Sequence, residues 1–164
     1  MDLDRFNGEP ADALTPTLLA CCDVPAWAAA VAEGRPYADV DAALAAADQA
    51  SRNLTPAEVD RALAAHPRIG ERAAGRGTEA AWSRGEQSGV SRDERTATAL
   101  LEGNRSYEER FGRVFLICAT GLSGEQVLDS LTERLGNDDE AEAAVVADEL
   151  RKIAVLRLRK VLDS

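Results

Sequence analysis

The sequence predicts an all-α fold, a single-domain bundle of about seven to nine helices that spans residues 1–164. Three observations favour this class. Apolar residues recur at helical spacing along most of the chain, Ser/Thr-x-x-Glu/Gln capping boxes precede three of these stretches, and the alternation typical of strands is nearly absent. Because 45% of the residues are hydrophobic but only 4% are aromatic, Ala, Leu and Val must fill most of the core.

In the N-terminal third, proline and glycine mark the boundaries of short helices. Pro16 lies inside the first apolar stretch, so this stretch is expected to form two short pieces. The next helix is expected to begin with Asp23 as its N-cap and Pro25 in its first turn, and to end at Gly34. Asp39 is then predicted to cap a helix that runs to about residue 52.

The middle of the chain contains a helix, a loop and a short second helix. A capping box at Thr55 starts the first helix, which should end near His66 because Pro67 restricts the backbone of the residue before it. Residues 68–78 are rich in glycine and charge, and a loop is expected there. Thr78 is the expected cap of the short helix that follows.

The strongest helical pattern begins at a capping box at Ser91 and is expected to continue through Cys118. Residues 114–119 could also form a strand, but they continue the helical period and are predicted to be helical. Asn104 and Tyr107 fall on the apolar face of this helix, where polar groups need an explanation.

Two further helices complete the predicted bundle. A capping box at Ser123 starts the first, which Gly136 closes. The last runs from about Asp139 to Leu162, with acidic residues in its first turns and basic residues in its last, as the helix dipole favours.

The net charge of −10 excludes nucleic acid and anionic membrane surfaces as expected partners, because an acidic chain repels both. No apolar stretch reaches the length of about 18 residues that a transmembrane helix needs. The N-terminus lacks the features of a signal peptide. Cys21, Cys22 and Cys118 have neither disulfide nor zinc-site spacing, so free thiols and a cytoplasmic location are expected.

The candidate chemistry centres on His66, the only histidine, which directly precedes Pro67. A lone histidine is more often a surface or packing residue, and Glu86 with Gln87 is more often a solvated pair. The chain has no metal-ligand spacing, phosphate loop or nucleophile elbow. The residues therefore leave two classes open: a cofactor-free proton-transfer enzyme, or a helical interaction module.

Four motifs narrow this choice. The sequence reads H-P-R-I-G-E at 66–71, S-R-G-E-Q at 83–87, N-x-x-Y-x-x-x-F-G-x-x-F at 104–115 and L-R-L at 156–158. In order and spacing they resemble the 2-oxo-4-hydroxy-4-carboxy-5-ureidoimidazoline (OHCU) decarboxylase family across nearly the whole chain. The resemblance implies an all-α enzyme without metal or cofactor that converts anionic OHCU to (S)-allantoin and CO2 in urate degradation. It also implies a homodimer, although no sequence patch demands one.

The resemblance implies site residues of two kinds. The catalytic residues would be His66, as the acid, and Glu86. The substrate-binding residues would be Pro67, Ser83, Arg84, Gly85, Glu86, Gln87, Phe115, Leu116, Ile117, Cys118, Ala119 and Arg157. Of these, Pro67 would shape the backbone at the histidine, residues 115–119 would act partly through backbone groups, and Arg157 would lie near the substrate carboxylate. A non-enzymatic helical adaptor and a hydrolase of a related ureide stay open as alternatives.

Overall fold

The computed structural model describes residues 1–69, 78–88 and 94–164. Within these ranges the chain forms nine α-helices and no strand, so the predicted all-α class and helix number are confirmed for the described residues. The helices are α1 (Leu3–Gly8), α2 (Ala11–Cys21), α3 (Pro25–Glu33), α4 (Val40–Arg52), α5 (Pro56–Leu63), α6 (Thr78–Glu86), α7 (Glu94–Phe111), α8 (Gly124–Arg134) and α9 (Asp139–Asp163). None of them is long and apolar enough to cross a membrane.

The helices are distributed over two compact units. The first contains residues 1–65 and 150–164, and the second contains residues 66–149, so the boundary falls once after α5 and once within α9. The prediction of a single domain over residues 1–164 therefore stays a prediction. The residues of the His-Pro motif and of α6, α7 and α8 all belong to the second unit.

In the first unit, α3 packs against both α2 and α4. Trp27 of α3 is fully buried, and its Nε1 donates to the carbonyl oxygen of Ala47 at 3.2 Å and to Oγ of Ser51 at 3.0 Å. The indole thus has a polar partner inside an otherwise apolar interior, as a buried tryptophan requires.

Two predictions for this unit need correction, and one helix was missed. Pro16 does not divide α2, because Leu14 and Leu18 are both fully buried and their packing outweighs the one backbone hydrogen bond that proline removes. The helix α1 was not predicted. Its signal was Asp2, whose side chain accepts from the backbone N–H of Arg5 at 2.8 Å. Helix α3 does begin at Pro25, but its N-cap is Val24, and no side chain caps it.

The other predicted helix starts are confirmed where the structure describes them, except that Thr78 is the first residue of α6 and not its cap. The Asp39 cap and the capping boxes at Thr55 and Ser123 are all formed. The capping box predicted at Ser91 and most of the loop predicted at 68–78 lie outside the described residues.

The second unit is organised around the packing of α7 against α8. Its hydrophobic core is built from both helices and from the segments next to them. The core residues are Ile69, Leu100, Tyr107, Phe115, Ile117, Ala119, Val127 and Leu131. Three of these residues, Phe115, Ile117 and Ala119, come from a single segment after α7, which is therefore firmly packed.

Helix α7 ends seven residues earlier than the sequence predicted. It stops at Phe111, and Gly112 adopts a φ of +69°, which ends the helix. Residues 114–119 are neither helix nor strand. The prediction that this stretch is helical was wrong, because the apolar spacing of a helix continues past Phe111 while the backbone does not.

Replacing Gly112 by alanine should destabilise the chain by about 1–2 kcal/mol, the cost of a left-handed backbone for a residue with a Cβ. A Cβ at this position would meet no atom within 4 Å, so the loss is conformational rather than steric. Urea denaturation measures it. Gly8→Ala is the matched control, since Gly8 also has open space around it but lies in α1 without a positive φ. Equal stability of the two variants would contradict the explanation.

Candidate active site

His66 lies in the turn that directly follows α5 and is half-buried. The helix tightens at its end, where the N–H of Ala65 donates to the carbonyl of Ala62 at 3.2 Å. The expectation that the helix ends near His66 is thus confirmed to within three residues. The half-buried Pro67 follows, so a rigid peptide unit holds the imidazole at the start of the second unit.

Helix α7 holds the chain that follows the His-Pro pair. The buried Asn104 donates from Nδ2 to the carbonyl oxygen of Ile69 at 2.8 Å. One turn further along, Glu108 accepts from Nε of Arg68 at 2.5 Å and from its Nη2 at 3.2 Å. The second pair is partly exposed and contributes little stability, but its two-point geometry orients the chain. Asn104 therefore has a positional role on the apolar face.

The predicted substrate-binding residues 83–87 cover the last turn of α6 and the residue after it. Ser83 is buried, Arg84, Glu86 and Gln87 are half-buried, and Gly85 is exposed. The N–H of Gln87 donates to the carbonyl of Ser83 at 3.3 Å, so the helical backbone continues past Glu86. Residues three and four apart share one face of a helix, so Ser83, Glu86 and Gln87 lie side by side.

The second predicted binding segment, residues 115–119, is an irregular stretch between α7 and α8. Cys118 is half-buried and the other four residues are buried. Within the described part of the chain, the backbone N–H groups of Phe115, Leu116 and Ile117 donate to no backbone carbonyl. Buried N–H groups nearly always have an acceptor, so these three are suited to a ligand.

A buried polar cluster supports this segment from behind, and the sequence reading missed it. Arg134, the last residue of α8, is 5% exposed and donates from Nη1 to the carbonyl of Leu116 at 2.7 Å. Its Nε and Nη2 donate to Oε1 of Glu142 at 2.9 and 2.6 Å. Glu142 is fully buried and also accepts from the hydroxyl of Tyr107 at 2.5 Å and from Nδ2 of Asn137 at 3.1 Å.

The charges of this cluster are fixed by its geometry. Burial alone would raise the pKa of Glu142, but the hydrogen bonds from Arg134, Tyr107 and Asn137 and the arginine charge outweigh it, and the net pKa is lowered. Burial, together with the hydrogen bond to this carboxylate and its charge, raises the pKa of the Tyr107 phenol. The cluster therefore holds one anion, one cation and a neutral tyrosine at physiological pH.

A signal for this cluster was present in the sequence. Arg134 continues the stripe of Val127 and Leu131 at spacings of four and three, and Glu142 precedes Val146 by one turn. A charged residue on an apolar stripe predicts a buried ion pair, but it does not identify the partner.

Arg157, the remaining predicted binding residue, lies in the first unit. It is 1% exposed, and its Nη1 donates to the carbonyl of Ala20 at 3.0 Å. Nearby, burial and then the charge of Asp23 raise the pKa of the Cys22 thiol to about 12, although Arg157 opposes the shift. Cys22 therefore stays protonated, as expected of a packing thiol. The role of Arg157 toward the substrate stays a prediction.

The comparison with known proteins decides the family. A family model described as OHCU decarboxylase matches residues 7–159. A 2-oxo-4-hydroxy-4-carboxy-5-ureidoimidazoline decarboxylase from Amia calva is 36% identical over 142 residues, which are 85% of this chain and 81% of that protein. The chain belongs to the OHCU decarboxylase family. The resemblance found in the sequence motifs is thereby confirmed.

Two further relatives agree with this OHCU decarboxylase assignment. The uric acid degradation bifunctional protein TTL of Arabidopsis thaliana is 29% identical over 87% of this chain, which spans 45% of that protein. The fold is similar to a crystal structure of an OHCU decarboxylase in the presence of (S)-allantoin, with a TM-score of 0.78 at 25% identity over 95% of this chain and all of that one.

Family membership confirms the prediction of an enzyme of the decarboxylase class, and it disfavours the helical adaptor. In residues 1–69, 78–88 and 94–164, no group of three or more His, Cys, Asp or Glu side chains could hold a metal ion. The absence of a cofactor stays a prediction that rests on the resemblance.

Proposed function

We propose that this chain decarboxylates OHCU to (S)-allantoin and CO2 in urate degradation, without a cofactor and with His66 as the acid. One observation carries the proposal. In a member of the OHCU decarboxylase family, the only histidine stands on a rigid His-Pro turn in the same compact unit as the Ser83, Glu86 and Gln87 face. An imidazole suits proton transfer near neutral pH.

In this proposal each group of residues has one task. His66 delivers the proton, and Pro67 and the Asn104 bond to Ile69 fix the backbone around it. Glu86 fixes the heterocycle, and Ser83 and Gln87, on the same helical face, bind its polar edge together with Arg84 and Gly85. The backbone N–H groups of Phe115, Leu116 and Ile117, which donate to no backbone carbonyl in the described part of the chain, are donors suited to carbonyl oxygens of the substrate.

The chemistry needs only placement and a proton. The bond between the substrate carbon and its carboxylate breaks, CO2 leaves, and the electron pair passes into the neighbouring ring C=N bond. The resulting enol is then protonated on the neighbouring ring carbon, which bears the ureido group, while the hydroxyl becomes the ring carbonyl and its proton passes to the ring nitrogen. Delivery of the proton to one face of the ureido-bearing carbon gives (S)-allantoin. Holding the substrate in the reactive orientation lowers the activation free energy by on the order of several kcal/mol. Fixed dipoles in a site that excludes water lower it further.

The test uses OHCU freshly made by urate oxidase. With this chain present, CO2 release and the circular dichroism of (S)-allantoin should both appear faster than in the uncatalysed reaction. An adaptor would accelerate neither signal, and a ureide hydrolase would release ammonia in place of CO2. Either of these outcomes would overturn the proposal.

Arg157→Ala should mainly raise KM, because the proposal places this cation near the substrate carboxylate in a strongly acidic protein. The loss of a hydrogen bond between charged groups corresponds to a rise of about ten- to a hundredfold. Initial-rate kinetics with OHCU measure it. Arg159→Ala is the matched control, since it removes the same charge from an exposed position of α9. An unchanged KM in Arg157→Ala would show that the carboxylate is bound elsewhere.

The proposal also includes a cytoplasmic location and a homodimer. The buried thiols Cys21 and Cys22 fit a reducing compartment, and the dimer rests on the family resemblance. Light scattering of the purified chain distinguishes a dimer from a monomer of 17.5 kDa. The net charge of −10 continues to disfavour nucleic acid as a partner.

A further inference from the structure

The irregular segment 115–119 has to hold its shape without a helix or sheet ladder. Among the described residues, the carbonyl of Leu116 is bound by a side chain, Arg134, and not by the backbone. The same guanidinium lies 4.4 Å from the centre of the Phe115 ring, a cation–π distance. One arginine therefore holds two successive residues of the segment, one through its backbone and one through its ring.

Arg134 is itself held in a single orientation. Two of its nitrogens bind one oxygen of Glu142, and this leaves Nη1 directed at Leu116. Tyr107 anchors the same oxygen of Glu142 and packs edge-on against Phe115, with ring centroids 5.2 Å apart at 76°. Residues of three helices, α7, α8 and α9, thus act together to hold one group, the carbonyl of Leu116.

Stability alone is a weak explanation for this arrangement. Two charges taken out of water are expensive to bury, and apolar residues of similar volume often serve as well or better. What an ion pair adds is a fixed direction, because the planar fork of arginine binds a carboxylate and a carbonyl at set angles. A binding segment needs this kind of fixed geometry.

We propose that Arg134 is a positioning residue, which fixes the Leu116 carbonyl so that the backbone N–H groups of residues 115–117 face the substrate. This inference rests on the proposed function, since it assigns the support behind a binding segment. Arg134 does not touch the substrate. It acts through the backbone that it holds.

The test compares two variants. Arg134→Lys keeps the charge but cannot bind Glu142 with two nitrogens and Leu116 with a third. The double variant Arg134→Met with Glu142→Leu removes both charges, so that neither is left buried alone, and it should stay folded. In both, KM for OHCU should rise about tenfold, as expected for lost binding in the ground and transition states alike, while kcat stays within about threefold.

A second readout needs no substrate. Cys118 is half-buried within the segment, whereas Cys21 and Cys22 are buried. A loosened segment should let iodoacetamide alkylate Cys118 faster in both variants, as followed by peptide mass spectrometry. Ser51→Ala is the control for stability loss, because it removes a buried hydrogen bond to Trp27 in the first unit. It should lower the melting temperature and leave both KM and Cys118 alkylation unchanged.

The two proposals fail separately. A wild-type KM in the stable double variant would overturn the role of Arg134. If the unmodified chain shows no turnover of OHCU, the proposed function fails instead, and Cys118 alkylation then decides alone. If Cys118 is alkylated at the wild-type rate in the double variant, the positioning role is overturned. A raised rate would support it.

Discussion

His66→Asn protein should fold normally but lose about 10²- to 10⁴-fold in kcat, the usual contribution of a positioned general acid. Asparagine is close to histidine in size and polarity, yet it cannot deliver a proton near neutral pH. The loss should fall on kcat, because the imidazole is proposed to act in the chemical step. Initial rates of CO2 release from fresh OHCU measure it.

The control for this variant tests whether its binding residues are still intact. Cys118 belongs to the proposed binding segment, so (S)-allantoin should slow its alkylation in both the wild type and His66→Asn. A variant that still shows this protection but turns over slowly has lost the proton donor alone. Near-native turnover would remove His66 from the mechanism.

Glu142→Leu should destabilise the chain by about 3–5 kcal/mol, the cost of leaving one partner of a buried ion pair without the other. In the wild type, Glu142 is fully buried and accepts from Arg134, Tyr107 and Asn137. Without its carboxylate, the arginine stays buried without the Glu142 charge that it pairs with, and two further donors lose their acceptor. Urea denaturation of the two proteins measures the difference.

The matched control is the double variant Arg134→Met with Glu142→Leu. It should recover most of the stability that Glu142→Leu loses, because no isolated charge is left in the interior. A single variant that costs less than about 1 kcal/mol would show that water reaches the arginine and that the pair behaves like an exposed one.

Low pH should weaken the pair of Arg134 and Glu142. The folded-state pKa of Glu142 is lowered, so its contribution to stability is complete above the unfolded value of about 4.3 and is lost as pH falls through the folded value. Between neutral pH and about pH 4.3 this group should add no pH dependence. Below that range the wild type should lose stability more steeply than the double variant, which lacks the carboxyl.

Local signals made most of the helix boundaries predictable. The capping boxes at Thr55 and Ser123 act within one turn of the chain, and both are formed. The end of α7 was missed because Val114 and Phe115 keep the apolar period of the helix, while Gly112 had already turned the backbone away. Spacing along the sequence records which residues are buried, and it does not record whether a helix or an irregular segment buries them.

The candidate site likewise has one part that the sequence predicted and one part that it did not. The motifs around His66 and Glu86 were readable because their residues are close in sequence. Arg134 and Glu142 were not, since their role depends on Leu116 and Tyr107, which reach them through the tertiary fold. The sequence shows that Arg134 is a charged residue on an apolar stripe, but its partner is determined by the tertiary fold.

One turn of α7 cannot accept an inserted residue without losing a contact. Asn104 and Glu108 bind the stretch after the His-Pro pair, and Tyr107, between them, binds the carboxylate behind residues 115–119. One residue inserted between Asn104 and Tyr107 would rotate them by about 100° relative to each other, so the two attachments could no longer form together. Natural variants and grafted versions of this enzyme should therefore tolerate insertions in their connecting loops, but not within these five positions.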